Sequence, residues 1–288
     1  MERAQFALAP YWKHMRVPFQ LSLAPLFLWG ASLATVESWP RLALAFVAFH
    51  FFLYTGVTAY NSAFDRDEGP VGGMMRPPEV PDRLLEFSIG LQAVGAVLSS
   101  IAGLLPLYLV FTGLGIAYSY PRIRLKRDPV ASALVVFLGQ GVLGTLAGWV
   151  AASGEYGPIG PRLLLGVAGA SLTTLGLYPL TQIYQIEEDA RRGDRTLAVM
   201  LGKQGAIRFG ALCLAASGIL STTLMLLEKA WFAATCLALC YPVMLRQVAR
   251  IGREDPSVEA SFLSVTRLNY TASLGFLVFI GLRMTGLL

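Results

Sequence analysis

Apolar residues in this chain come in helix-length runs, and the few polar residues that interrupt them tend to share one side. Nine runs are long enough to cross a bilayer as helices. They are Phe19 to Val36, Leu42 to Tyr60, Leu85 to Ala102, Leu104 to Tyr120, Val130 to Ala152, Leu163 to Thr181, Ala206 to Leu227, Ala230 to Leu245 and Tyr270 to about Leu282. If the short last run continues toward Leu288, Arg283 is expected to snorkel to the surface. The pattern predicts an all-α polytopic membrane bundle of about nine transmembrane helices, a single domain over residues 1–288.

The second and sixth runs carry the informative polar positions. At about 100° per residue, His50, Tyr54, Asn61 and Asp65 share one face of the second, and Thr174, Tyr178, Gln185 and Asp189 share one face of the sixth. Pro179 is expected to kink the sixth. An offset of 124 residues superposes the two sets: Asn61, Asp65 and Gly69 fall on Gln185, Asp189 and Gly193, and Arg122 and Lys126 fall on Arg246 and Arg250. Such duplication predicts two related halves that build one polar site between them. A carboxylate facing hydrocarbon without a partner is costly, so both stripes are expected to face a shared wet cavity. The blander reading pairs Asp65 and Asp189 with loop arginines at the membrane surface.

Composition agrees with a membrane location. Hydrophobic residues make up 55% of the chain and charged ones 14%, and the mean hydropathy of +0.57 excludes a soluble globule. All but four of the 23 Lys and Arg residues, the exceptions being Arg41, Arg162, Lys229 and Arg283, fall on one side if the N-terminus is cytoplasmic. That bias predicts a cytoplasmic-facing site, in a bacterial inner membrane, and accounts for the net charge of +5 without a nucleic-acid partner. The first run is read as a retained helix, since eight more follow and no small-residue cleavage site is clear. Cys213, Cys236 and Cys240 are expected to pack, and Gly144 and Gly148 to let helices approach closely. The longest loops are the two that bear the acids and the stretch from Gly252 to Pro256.

Two acids beside many bases point to a phosphorylated ligand. Asp65 and Asp189 repel each other unless a hard cation such as Mg²⁺ shares them with substrate phosphates. Arg122, Arg124, Lys126, Arg191, Arg192 and Arg195 can then neutralise the remaining phosphate charge, although cytoplasmic loops are basic in any case. A diphosphate with an apolar tail fits a cavity among Tyr, Phe and Leu. Charges at the mouth and the lack of a span visibly broken near its centre favour an enzyme over a secondary transporter.

Four segments carry a resemblance: Asn61-Ser-Ala-Phe-Asp65-Arg-Asp, Arg76-Pro77, Tyr118-Ser-Tyr-Pro121-Arg-Ile-Arg-Leu-Lys126, and Glu187-Glu-Asp189-Ala-Arg-Arg-Gly193-Asp-Arg-Thr196-Leu-Ala-Val-Met-Leu-Gly202. Through them the chain resembles the UbiA-type intramembrane prenyltransferases over nearly its whole length. The resemblance implies Mg²⁺-dependent transfer of an isoprenyl group from a prenyl diphosphate to a lipophilic, often aromatic, acceptor within membrane lipid. It also implies that Asn61, Asp65 and Asp189 hold the metal and that Lys126 contacts the diphosphate, with Arg66, Arg76, Tyr118, Arg122, Tyr178, Gln185 and Arg195 as further substrate contacts. Tyr54, Tyr118, Tyr120 and Tyr178 are candidates to shield an allylic cation, and His50 is a weaker candidate for a base. Three positions depart from the family pattern: Gly69 and Gln185 stand where acids are usual, and Gly73 where Lys is usual. Glu68 shares the helical face of Asp65 and is expected to compensate, whereas Asp67, Glu187 and Glu188 are rotated away. The thinner acid set leaves open a degenerate member that binds a prenyl lipid without turning it over.

Overall fold

The computed structural model describes residues 8–253 and 257–288. Arg3 and the Glu254 to Pro256 part of the predicted loop lie outside them. The described residues form helices and turns with no named strand: α1 Leu8–Met15, α2 Val17–Leu21, α3 Ala24–Ser32, α4 Trp39–Asp65, α5 Leu84–Ile101, α6 Leu105–Ser119, α7 Pro129–Ser153, α8 Pro161–Gln182, α9 Ile186–Arg192, α10 Leu197–Leu227, α11 Trp231–Ile251 and α12 Val258–Met284. Seven of these, α4, α5, α7, α8, α10, α11 and α12, are long and apolar enough to cross a membrane, and α6 is a shorter apolar helix.

Local chemistry sets the boundaries. Pro129 opens α7, whose free N–H groups at Val130 and Ala131 donate to the Asp128 side chain at 2.9 and 2.8 Å. Ser38 caps α4 just before Trp39-Pro40. At the other end of α4 the chain turns left-handed at Arg66, φ 49°, and helical geometry stops there.

Several expected spans differ in extent. The first is a broken pair, α2 and α3, separated at Ser22 and Leu23, where the Ser22 hydroxyl donates to the Phe19 carbonyl at 2.6 Å. The sixth is broken as well: α-helix gives way after Leu177 to a tight 3₁₀ turn at Pro179–Gln182, where the ring can no longer accept the helical pattern. The kink expected at Pro179 is present, and both breaks lie near the end of a span and not at its centre. The last span begins at Val258, well before Tyr270, because the polar residues Glu259, Arg267 and Asn269 extend a helix instead of ending it. Arg283 lies near the carboxyl end of α12. Its side chain is 10% exposed, it ion-pairs with Glu228 and it lies 6.0 Å over the Trp29 ring.

The 124-residue offset carries over to the elements. It places α5 inside α10, α6 largely on α11, and most of α7 on α12. α3 packs on α7, α4 on α5, α8 on α10 and α10 on α11. Apolar side chains such as Leu212, Ile219, Trp231 and Phe232 remain exposed on the outside, which is how a bundle meets lipid.

Gly30 and Gly148 make the α3 and α7 contact possible. A Cβ on Gly148 would stand 1.7 Å from the Phe27 carbonyl oxygen, and one on Gly30 1.8 Å from that of Thr145. Gly148→Val is therefore expected to force the helices apart and to destabilise the fold by roughly 1–3 kcal/mol or more. The midpoint of thermal unfolding in detergent, compared with the unchanged protein, measures it.

Candidate functional site

The carboxyl end of α4, the α6–α7 connection and the α8–α10 region meet around one cavity of about 300 Å³. Asn61, Asp65, Lys126 and Asp189 all line it, as do Tyr118, Tyr178 and Gln185. The geometry is tight. The Asn61 amide donates to Asp65 Oδ2 at 2.6 Å and to the Ser119 hydroxyl at 3.0 Å. Lys126 Nζ lies 2.6 Å from Asp65 Oδ2 and 3.5 Å from Asp194 Oδ2, while Arg124 stands 3.3 Å from Asp65 Oδ1. The Tyr118 and Tyr178 hydroxyls meet at 3.0 Å.

Asp189 sits on α9, which begins after the break that follows Pro179. Its Oδ2 accepts a hydrogen bond from Thr196 at 3.1 Å, and the same Thr196 oxygen caps α10 by accepting from the Val199 N–H. Burial pushes the Asp189 carboxyl up to about 6, against the pull of Lys126 and of the Thr196 hydroxyl.

The remaining substrate-contact candidates are placed elsewhere. Arg66, Arg76, Arg122 and Arg195 are exposed and do not line the cavity. Arg66 presents its carbonyl to Arg192, and Arg195 donates its backbone N–H to the Arg127 carbonyl. Arg246 and Arg250, the duplicates of Arg122 and Lys126, lie exposed along α11. His50 is fully buried, stacked on Phe46 at 4.1 Å and hydrogen-bonded to the Phe46 carbonyl, away from the cavity lining.

Three charged residues join the site without having stood out in the sequence. Asp194 has a fully buried side chain that takes two hydrogen bonds from Arg124, at 3.3 and 2.9 Å, and lies 3.5 Å from both Lys126 and Arg127. Burial alone would raise its pKa, but the Arg124 hydrogen bonds and the Lys126 charge outweigh that and hold it below the ordinary carboxylate range. Its signal was its place inside the Gly193 to Thr196 run. Arg16, left-handed at φ 50°, is buried, lines the cavity and donates to the Ser62 hydroxyl at 2.8 Å.

Asp67 is the third, and it corrects the face argument. Helical rotation would carry it away from Asp65, but the helix ends at Asp65 and the left-handed Arg66 swings Asp67 back to the cavity wall. There it pairs with Arg16 at 3.6 Å and Arg192 at 3.0 Å. For the same reason Glu68 is exposed and does not line the cavity. Glu188 holds this loop, accepting the Glu68 and Gly69 N–H groups at 3.0 and 3.2 Å. A Cβ at Gly69 would stand 2.6 Å from the Glu188 carboxylate, the movable end of that side chain, so an acid at position 69 would have to displace Glu188 and would face its like charge.

Oxygen donors on this wall suit a hard cation. Asp65 Oδ1 and Asp67 Oδ2 are buried and accept no hydrogen bond. Among the described residues no three His, Cys, Asp or Glu side chains form a metal cluster on their own.

Comparison with known proteins gives the arrangement a context. The model of the UbiA prenyltransferase family matches residues 23–274. A lycopene elongase/hydratase of Halobacterium salinarum is 31% identical over 253 residues, covering 82% of this chain and 85% of the relative. One of Haloferax volcanii is 30% identical over 202 residues, covering 67% and 63%. The fold is similar to a UbiA homologue from Archaeoglobus fulgidus, solved bound to GPP and Mg²⁺, with a TM-score of 0.66, 18% identity and coverage of 94% and 99%. It is also similar to a digeranylgeranylglyceryl phosphate synthase, with a TM-score of 0.63, 18% identity and coverage of 96% and 99%.

Proposed function

Because the chain belongs to the UbiA prenyltransferase family, we propose that its cavity transfers an isoprenyl group from a prenyl diphosphate to a lipophilic acceptor inside the membrane. The observation that carries this reading is the convergence of Asn61, Asp65, Asp189 and Lys126 on one cavity whose remaining wall is largely apolar. Mg²⁺, held by Asn61, Asp65 and Asp189 and shared with the substrate, would supply charge to stabilise the departing diphosphate.

The chain's own residues do the rest. Lys126 and Arg16 face the diphosphate and stabilise the negative charge that grows as the C–O bond breaks with its electron pair leaving on oxygen. Asp194 holds Arg124 and Lys126 in place for this. Tyr118 and Tyr178, fixed to each other through their hydroxyls, turn ring surface toward the allylic cation. Phe111, Leu114, Val135 and Leu177 exclude water, which would otherwise capture that cation. The acceptor then contributes the π electrons of an electron-rich C=C bond to the new C–C bond and loses a proton. An aromatic ring or a polyene chain provides such a bond, and the lycopene elongase/hydratase relatives favour the polyene. The excess of Lys and Arg on the acidic-loop side supports a site that opens toward the cytoplasm.

A second reading, binding of a prenyl lipid without turnover, is favoured by Gly69 and Gln185. Purified protein in lipid is incubated with geranyl, farnesyl and geranylgeranyl diphosphates and candidate acceptors, with and without Mg²⁺. Diphosphate release that requires the metal supports transfer. Binding without release supports the second reading.

Asp189 predicts a pH dependence. Its folded pKa, about 6, lies above the ordinary value of 3.8, so the folded state holds this proton more tightly than the unfolded chain. The stability it contributes is fully present below about pH 3.8 and is lost as pH rises through about 6. Protons also compete with metal. The protection that Mg²⁺ and a prenyl diphosphate give against melting is therefore expected to weaken as pH falls through about 6, which melting scans at several pH values will reveal.

A further inference from the structure

We infer that the apolar end of the bound prenyl chain enters a second chamber beyond Phe276, and that Phe276 and Ala170 set how long a chain the protein accepts. This rests on reading the main cavity as a prenyl diphosphate site. The second chamber is small, about 50 Å³. It shares four wall residues with the main cavity, Pro25, Leu26, Thr173 and Phe276, so the two spaces adjoin.

The lining continues without a break from the acids to the chamber. On α8 it runs from Leu177 through Thr173 to Ala170, about 10 Å along the axis at 1.5 Å per residue. On α12 Asn269, Ser273, Phe276 and Ile280 are spaced i, i+4, i+7 and i+11, one helical face. A chain anchored by its diphosphate at Lys126 and Arg16 thus has a route inward along these two faces, and Phe276 borders both spaces.

The chamber's chemistry selects hydrocarbon. Its polar groups are occupied with each other: the Tyr241 hydroxyl meets Ser217 Oγ at 2.8 Å, Ser217 meets Thr173 Oγ1 at 2.6 Å, and Ser217 donates to the Gly169 carbonyl. The walls left to an occupant are carbon, from Leu237, Phe279 and Ile280. Its end is firm. Trp29 Nε1 donates to the Gly166 carbonyl at 3.0 Å, and the Arg283 guanidinium lies over the ring. Phe276 packs edge-on against Tyr241, ring centroids 5.6 Å apart, which holds its ring in position.

The test measures equilibrium binding of geranyl, farnesyl and geranylgeranyl diphosphates by calorimetry with Mg²⁺, and diphosphate release alongside, for the unchanged protein, Phe276→Ala and Ala170→Val. Phe276→Ala removes the ring that borders both spaces and is expected to shift the affinity ratio toward the longer chain by roughly tenfold. Ala170→Val fills the chamber without altering Phe276 and is expected to shift the ratio toward the shorter chain. Ratios unchanged in both variants, with melting midpoints near that of the unchanged protein, overturn the inference. So does a failure of all three diphosphates to bind. Shifted ratios without diphosphate release uphold the chamber and overturn the transfer reading, so the two failures are told apart.

Discussion

Asp65→Ala is expected to lower prenyl-transfer turnover by about 10²- to 10³-fold. Three interactions disappear together: the partner of the Asn61 amide at 2.6 Å, the partner of Lys126 at 2.6 Å and an oxygen donor for the metal. The loss falls on the chemical step, because these groups act on charge that appears as diphosphate departs. Binding of the prenyl diphosphate to the variant is expected to change less than kcat. Single-turnover release of diphosphate, followed against metal concentration, separates the two effects. If the variant keeps wild-type turnover, Asp65 has no part in the chemistry and the site must be sought elsewhere.

Asp194→Ala is expected to act first on stability. Its side chain is fully enclosed and faces Arg124, Lys126 and Arg127. Removing it leaves Arg124 and Lys126, both largely buried, with Asp65 as their remaining carboxylate partner. Breaking one side of a buried ionic group in this way costs about 3–5 kcal/mol. A steep fall in the detergent melting midpoint is the expected result. Asp194→Asn keeps the shape and some hydrogen bonding, so it is expected to fold better than the Ala variant yet to bind diphosphate differently, because Lys126 is then drawn wholly to Asp65. Equal melting of all three proteins would mean that the cluster contributes nothing to stability.

The residues that helical rotation placed correctly were those on regular helix. Asn61 and Asp65 follow α4 to its last turn, so a rotation of 100° per residue puts them together on the cavity wall. Beyond Asp65 the same rule fails, since one left-handed residue, Arg66, redirects the chain; that is why Asp67 lines the cavity and Glu68 does not. Arg124 is left-handed as well, at φ 42°, and its reach to Asp194 across 70 residues leaves no periodic trace. The exposed positions of Arg66, Arg76, Arg122 and Arg195 reflect a different ambiguity. A basic loop at the membrane surface looks alike in sequence whether its side chains bind substrate or only set topology. Arg16 is the opposite case, a base near the N-terminus that counts toward topology yet turns inward. The extent of α12 was hidden because its first half is too polar to stand out as an apolar run.

The carboxylates and guanidinium groups around Asp194 lie beneath protein, with only Arg127 well exposed among them. Dissolved ions screen surface charges within about 10 Å at 0.1 M ionic strength but reach enclosed ones poorly. The cluster should therefore hold its geometry in concentrated brine, and potassium chloride at molar levels should leave its contribution to the melting midpoint largely intact.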